Sequence, residues 1–436
     1  MGSHLAKMLS GGKHDITVID IDHKLLEDVS IVADVVTLEG DPSEFAILKR
    51  ASVRKADLFI AVSPDENLNV VSAVIAKQLG AKKSIARVDH SEYLEPNNKE
   101  IFINMGIDYL FYPEIVAAQE VVTLLGHTAT TEYVDFSGGK LALVVFKLEA
   151  TSPLIGKRLI DVTPDREYLP YRTVAIARGD ETIIPHGEDI FFEGDMVYVI
   201  SNRESVKEVI TYSGNRNIDI KTLMILGGSR IGTHVARELE DEIAVKLVEY
   251  DEEKAYKLAE VLDKTLILND DGRDIEAMME EGLGNMDAFV AVTGRSETNI
   301  LAAMVAKKMG VKKVIAEVEN LNYISLAESI GIDTIINKKL VTASSIFRFT
   351  MNTDVQAIKY LTGSEAEVLE FIAKPNSTVT KQQVRDLDFP RDAIIGGVVR
   401  GDKTFIAVGN TEINAYDRVV VIALPDAIEK VSRFFN

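Results

Sequence analysis

Two segments of the chain are near-copies of each other, and that duplication limits its possible folds more than any other feature. ADLFIAVSPDENLNVVSAVIAKQLGAKKSIARVDH, from Ala56 to His90, lies over MDAFVAVTGRSETNILAAMVAKKMGVKKVIAEVEN, from Met286 to Asn320. Earlier, GSHLAKMLSGGKHDITVIDID (Gly2 to Asp22) lies over GTHVARELEDEIAVKLVEYD (Gly232 to Asp251), which matches Gly2 with Gly232 and Asp20 with Glu249. A self-match at one offset of about 230 residues marks a tandem duplication, so both halves must share one architecture.

The stretch from Lys221 to Glu249 shows what that architecture is. Leu223-Met224-Ile225-Leu226 is the short apolar run of a buried parallel strand. The turn Gly227, Gly228, Ser229, Gly232 follows. Ile231, Val235 and Leu239 then recur at helical spacing, and a second apolar strand, Ala244 to Val248, ends on Glu249. Strand, glycine turn, helix, strand and acid is the order of a Rossmann mononucleotide unit. Amides at the helix start, including those of Arg230 and Ile231, point at a pyrophosphate, and small residues let it approach the backbone. Glu249, about 20 residues past the turn, can accept both hydroxyls of an adenosine ribose. Ser229 stands where the fingerprint has its second glycine and crowds that approach. A Rossmann scaffold without a ligand is the alternative.

The formal charge of −20, from 68 acidic against 48 basic residues, argues against non-specific binding to nucleic acid or to anionic lipid. The absence of cysteine excludes disulfides and thiolate metal sites. No apolar run of about 18 residues spans a membrane. A soluble, cytoplasmic protein is expected.

In the first half, Ile16 to Ile19, Val35 to Thr37, Leu58 to Val62 and Ser84 to Val88 read as strands, with a helix from Asn69 to Leu79. A helix, the short strand Tyr109-Leu110-Phe111 and a long helix from Pro113 follow. That last helix is apolar over much of its circumference. It either packs on its own sheet or crosses over to dock on a neighbouring copy. The stretches Glu132 to Ser213 and Asp354 to the end are strand-rich, with hairpin turns at Arg178-Gly179-Asp180 and Arg400-Gly401-Asp402. The expected fold is α/β: two tandem Rossmann-like, doubly wound parallel-sheet domains (1–130 and 215–351), each followed by a small α+β domain (131–214 and 352–436). The chain's first glycine aligns with the last glycine of the second turn. The first repeat therefore has no counterpart of Leu223 to Ile231, through truncation or a start placed too late. Its sheet is expected to expose two strand edges, and the repeat to be destabilised and to cradle a pyrophosphate incompletely.

Further site candidates follow from the alignment. Asp20 and Glu249 end the second strand of each repeat. Asp41 and Asp270 follow the third, where an adenine would lie. Ser63 and Thr293 follow the fourth and face the switch-point crevice. Asn69 and Asn299 are read as opening and capping the next helix. Arg87 can neutralise a phosphate, whereas its partner Glu317 cannot, so the two sites should differ. Arg230 can supply the second site's positive charge. His4 and His234 recur as packing residues or phosphate neighbours. No histidine pair suggests a metal, and no paired acid and base suggests catalysis, so binding without chemistry is expected.

The ITVIDID strand with Asp20, GDPSE (Gly40 to Glu44), AVSPDENLN (Ala61 to Asn69), SIARV (Ser84 to Val88) and GGSRIGTHVA (Gly227 to Ala236) resemble the TrkA family of the KTN/RCK class. SPLIGKRLIDV, Ser152 to Val162, resembles that family's C-terminal ligand subdomain. The resemblance implies a regulatory subunit of potassium uptake on the cytoplasmic face of a TrkH- or TrkG-type membrane partner. It implies a ring, with a tetramer expected, and NAD(H), ATP or ADP in the Rossmann crevices. It places Asp20, Ser63 and Arg87 at the first site, and Gly227, Gly228, Ser229, Gly232, Glu249 and Thr293 at the second; Gly2 joins the first site as the counterpart of Gly232. An NAD-dependent oxidoreductase and the gating ring of another cation channel are the alternatives.

Overall fold

The computed structural model describes residues 1–10, 14–162, 170–179, 181–215, 217–332, 334–347, 355–361 and 364–436. The expected boundary at Met351, the start of the last stretch at Asp354 and the turn residue Asp180 lie outside them. The chain divides into two compact units, Met1–Val116 with Lys338–Asn352, and Ala117–Asn337 with Thr353–Asn436.

In the first repeat, β1 (Thr17–Asp20) pairs in parallel with β2 (Val36–Glu39). A separate parallel sheet holds β3 (Leu58–Ala61), β4 (Lys83–Arg87) and β5 (Tyr109–Phe111). The first small domain is an antiparallel sheet of β6 (Glu132–Phe136), β7 (Leu141–Lys147), β8 (Tyr171–Arg178), β9 (Glu181–Ile183) and β10 (Met196–Asn202), in the order β6-β7-β10-β8-β9. The second repeat has β11 (Thr222–Leu226), β12 (Ala244–Glu249), β13 (Leu266–Asn269), β14 (Ala288–Ala291), β15 (Lys313–Glu317) and β16 (Thr334–Ile336), all parallel, in the order β13-β12-β11-β14-β15-β16. The second small domain repeats the first with β17 (Val355–Tyr360), β18 (Glu367–Ile372), β19 (Ala393–Arg400), β20 (Lys403–Ile406) and β21 (Arg418–Ala423).

The second repeat is the complete one. Leu223, Met224, Ile225 and Leu226 are buried on both faces of β11, which explains their unbroken apolar run. Strand β11 lies between β12 and β14. In the first repeat no strand among the described residues joins the matching pair, β1 and β3, so the sheet is split in two. Strand β1 accordingly buries no residue, whereas β12 buries Val245, Leu247 and Val248. These are the open edges expected from the sequence.

The apolar helix Pro113–Gly126 crosses over. Ala117, Ala118, Val121, Leu124 and Leu125 pack with Leu223, Ile225, Val235, Leu247 and Val290 in the core of the second repeat. In return, Ala343 and Ile346 of the helix Lys338–Phe347 pack with Leu5, Ile85 and Phe111 of the first repeat. Each Rossmann sheet is thus covered in part by the other repeat's last helix. The boundary between compact units therefore runs through the helix Pro113–Gly126 rather than between sheets.

The two small domains share a core, in which Leu143, Val145 and Ile200 meet Val368, Val420 and Ile422. Each also carries an ion pair between a part-exposed arginine and a buried aspartate. Arg178 donates two hydrogen bonds of 2.8 Å to Asp195, and Arg400 pairs with Asp417 at 2.7–2.9 Å, in both cases two-pronged. That geometry fixes the hairpin ends against the last strand.

Leu124 is 1% exposed. Leu124→Ala should cost about 3 kcal/mol. Hydrogen exchange should locate the loss of protection in β11 and β14, not in the repeat that encodes the helix. Glu367 is 6% exposed and its Oε2 has no hydrogen-bond partner among the described residues. Burial pushes its carboxyl from 4.5 up to about 7. The folded state thus holds this proton where the unfolded chain has released it. The stabilisation is complete below pH 4.5 and is lost as pH rises through about 7. Denaturant unfolding of Glu367→Gln should match the parent at pH 4 and exceed it by about 3 kcal/mol at pH 8.

Candidate functional site

The second repeat's glycine turn is shaped by two close approaches. Gly227 has φ +106, and a Cβ there would stand 3.0 Å from the Thr293 backbone. A Cβ on Gly232 would stand 2.2 Å from the Gly227 carbonyl oxygen. Both positions therefore require glycine. Ser229 has acquired a task of its own. It caps the helix Arg230–Leu239, its Oγ accepting from the Gly232 amide at 3.3 Å. Arg230 opens that helix exposed, while the Ile231 side chain is buried in the core, which leaves only its amide to a ligand. Gly2 opens the matching helix Gly2–Ser10 with room to spare, since a Cβ would meet only Val62 at 3.5 Å.

Glu249 is 3% exposed and turned toward the glycine turn. Its Oε2 accepts from the Gly228 amide at 3.0 Å and from Lys254 Nζ at 2.6 Å, and its Oε1 from the Asp251 amide at 3.1 Å. Asp20 ends β1 half-buried and accepts from the Asp22 amide at 3.0 Å. Strand register corrects one expected pairing. Asp20 faces Glu39 and Glu249 faces Asn269, so the counterpart of Asp41 is Asp271, and Asp270 matches Gly40. Asp41 accepts from the Ser43 amide and hydroxyl, which hold its carboxyl below the ordinary range. Asp271 accepts from the amide and guanidinium of Arg273, which hold it at about 2. Asp270 accepts from the Asp271 amide at 2.7 Å.

Asn69 and Asn299 do not open their helices, which begin at Glu66 and Ser296. Both are 1% exposed and act as staples. Asn299 Nδ2 donates to the Thr293 and Glu317 carbonyls, and its Oδ1 accepts from the Thr293 amide and hydroxyl. Asn69 ties the Ser63 amide and carbonyl to the Arg87 carbonyl in the same way. The crevice residues Ser63 and Thr293 are thus held to the ends of β4 and β15. Capping falls instead to Asp65 in the first repeat, which accepts from the amides of Asn67 and Leu68.

At the first crevice, Arg87 Nη2 pairs with Asp89 at 2.9 Å, and its Nε is buried without a partner among the described residues. Glu66 accepts from the Asp89 amide at 2.8 Å and lies against His90 Nδ1. In the second repeat Glu317 is buried at the Arg87 position. His4 is pushed down to about 4, chiefly by burial with Lys339 adding to it, so it is uncharged at neutral pH and suits packing. Among the described residues no group of three acidic or histidine side chains is placed to hold a metal, and no helix is long and apolar enough to cross a membrane. A cavity of about 490 Å³ is walled mainly by the first small domain, through Phe146, Phe191, Tyr171, Tyr212 and Arg172, and is closed by Val408 and Gly409 of the second. In the second small domain Phe371 stacks on Phe435 at 4.4 Å.

The TrkA-N domain matches residues 1–113 and 223–338, and the TrkA-C domain residues 143–214 and 368–436. The chain is 33% identical over 440 residues to the "Trk system potassium uptake protein TrkA homolog" of Archaeoglobus fulgidus, covering 100% of this chain and 98% of that one. It is 30% identical over 443 residues to the "Trk system potassium uptake protein TrkA" of Halomonas elongata, covering 100% and 96%. Among solved structures, the GsuK RCK domain shares the fold with a TM-score of 0.59 at 14% identity, over 99% of this chain and 92% of that one. The GsuK channel bound to NAD does so with a TM-score of 0.60 at 15% identity, over 99% and 76%.

Asn299→Ala removes one side chain and leaves buried backbone groups at Thr293 and Glu317 unpaired. Denaturant unfolding should show a loss of about 3 kcal/mol, where an ordinary surface change moves stability by less than about 0.5 kcal/mol.

Proposed function

The chain belongs to the TrkA family, and on that premise we propose that it is a nucleotide-sensing regulatory subunit of potassium uptake. It binds NAD(H), with ATP or ADP as competing ligands, in the two Rossmann crevices. As a ring, a tetramer in this reading, it acts from the cytoplasm on a TrkH- or TrkG-type membrane partner. The observation that carries the reading is Glu249. This buried acid at the end of β12 is hydrogen-bonded to the amide of the glycine turn beside it. The arrangement sets a ribose-accepting carboxylate next to a phosphate-approachable backbone. Gly227, Gly228, Ser229, Arg230, Ile231, Gly232, Thr293 and Asp270 line this second site, and Gly2, Asp20, Asp41, Ser63 and Arg87 the first.

The relatives' names support the potassium-uptake part of the reading, and the NAD-bound GsuK neighbour supports a nucleotide in a fold of this kind. The reading assigns no bond-making step. Regulation requires only that a nucleotide bind one state of the ring more tightly than another.

Calorimetric titration of the purified chain with NADH tests the binding. Asp20→Ala combined with Glu249→Ala should weaken affinity about tenfold or more, since each loses charge-assisted hydrogen bonds to a ribose. Potassium flux in liposomes holding the membrane partner should respond to NADH with the parent chain and lose that response with the double variant. Flux indifferent to NADH, ATP and ADP alike would overturn the regulatory reading.

A further inference from the structure

The carboxylate on which the second site depends already has an occupant from its own chain. Glu249 Oε2 takes two donors, the Gly228 amide at 3.0 Å and Lys254 Nζ at 2.6 Å. A carboxylate oxygen offers two lone pairs, so Oε2 is filled. Oε1 holds the Asp251 amide at 3.1 Å and has one lone pair left. A ribose diol needs an acceptor for each hydroxyl, one on each oxygen. The second hydroxyl finds a lone pair only when the ammonium leaves.

The lysine is built to leave. Its backbone is pinned, because Asp251 caps the helix Glu252–Val261 by accepting from the Lys254 amide at 2.9 Å. Its side chain is 46% exposed, against 3% for Glu249, so the ammonium can turn to water while the carboxylate cannot. The first repeat has no such device. The residue five positions after Asp20 is Leu25, 49% exposed, and among the described residues Asp20 takes only the Asp22 amide.

Resting on the nucleotide reading above, we propose that Lys254 is an internal competitor for the ribose-binding carboxylate. It makes the second site, and not the first, admit an unsubstituted ribose diol only by displacing an ammonium. The same charge reverses a second preference. A lone carboxylate repels a phosphate on the ribose 2′-oxygen. With Lys254 between them, the phosphate meets a cation, and the second site discriminates less against 2′-phosphorylated nucleotides.

The test uses the full chain carrying Asp20→Ala, so that calorimetry reports the second site. Lys254→Met should tighten NADH about tenfold and weaken NADPH, as expected when one charge-assisted hydrogen bond is removed from competition. Opposite shifts for the two ligands separate competition from a structural effect, which would move both together. Lys254→Arg, which keeps the cation, should retain the parent's ratio. Saturating NADH should also raise acetylation of Lys254 by acetic anhydride, read by mass spectrometry. Parent-like NADH affinity in Lys254→Met, or both ligands shifting alike, overturns the proposal. Absence of nucleotide binding in parent and variants together would overturn the nucleotide reading itself, and the competitor with it.

Discussion

Burial of each repeat's last helix in the other repeat's core is the contact on which the rest of the structure depends. Leu124 and Val121 are encoded by the first half of the chain yet pack with Leu223, Ile225 and Val290 of the second. Ala343 and Ile346 reverse the exchange. A parallel sheet needs cover on both faces. Here neither sheet can draw all of it from its own repeat. Each Rossmann core is therefore completed by a helix that the other repeat encodes.

The exchange also shows what could be read in advance. The helix from Pro113 is apolar around much of its circumference, which signals burial but not the identity of the burying surface. The glycine turn was legible, because the positive φ at Gly227 and the approach of Gly232 to the Gly227 carbonyl are local and restrict the residue type, although the Thr293 backbone that also closes on Gly227 is remote in sequence. So was the split first sheet, which follows from an alignment with nothing to set against β11. Asn299 was misread because asparagine near a helix start usually caps, and a position one turn inside the helix looks the same in sequence. Its partners, the Thr293 loop and the Glu317 carbonyl, are 6 and 18 residues away and meet it only once β15 is in place. Asp270 was set against Asp41 because the third strand's end has two adjacent acids, and only strand register separates them. Lys254 carried no signal, since a lysine in a first helical turn is ordinary.

Comparison of the two repeats sorts scaffold from site. Where the duplication kept a residue, it holds the backbone: Asn69 and Asn299 bind the same three strand and loop groups, and Arg178–Asp195 has its twin in Arg400–Asp417. At two positions near the acid-ended strands and the crevice the copies differ in charge. Arg87 stands against Glu317, and Leu25 against Lys254. Each exchange changes the charge a phosphate or ribose would meet without altering the strand order around it. Packing and backbone satisfaction tolerate little substitution, because an unpaired buried group costs about 1–3 kcal/mol. Half-exposed residues such as Leu25 and Lys254 carry no such cost and are free to diverge. The same strand order thus carries different charges at equivalent positions of the two repeats, which on the nucleotide reading proposed above makes the two sites unequal.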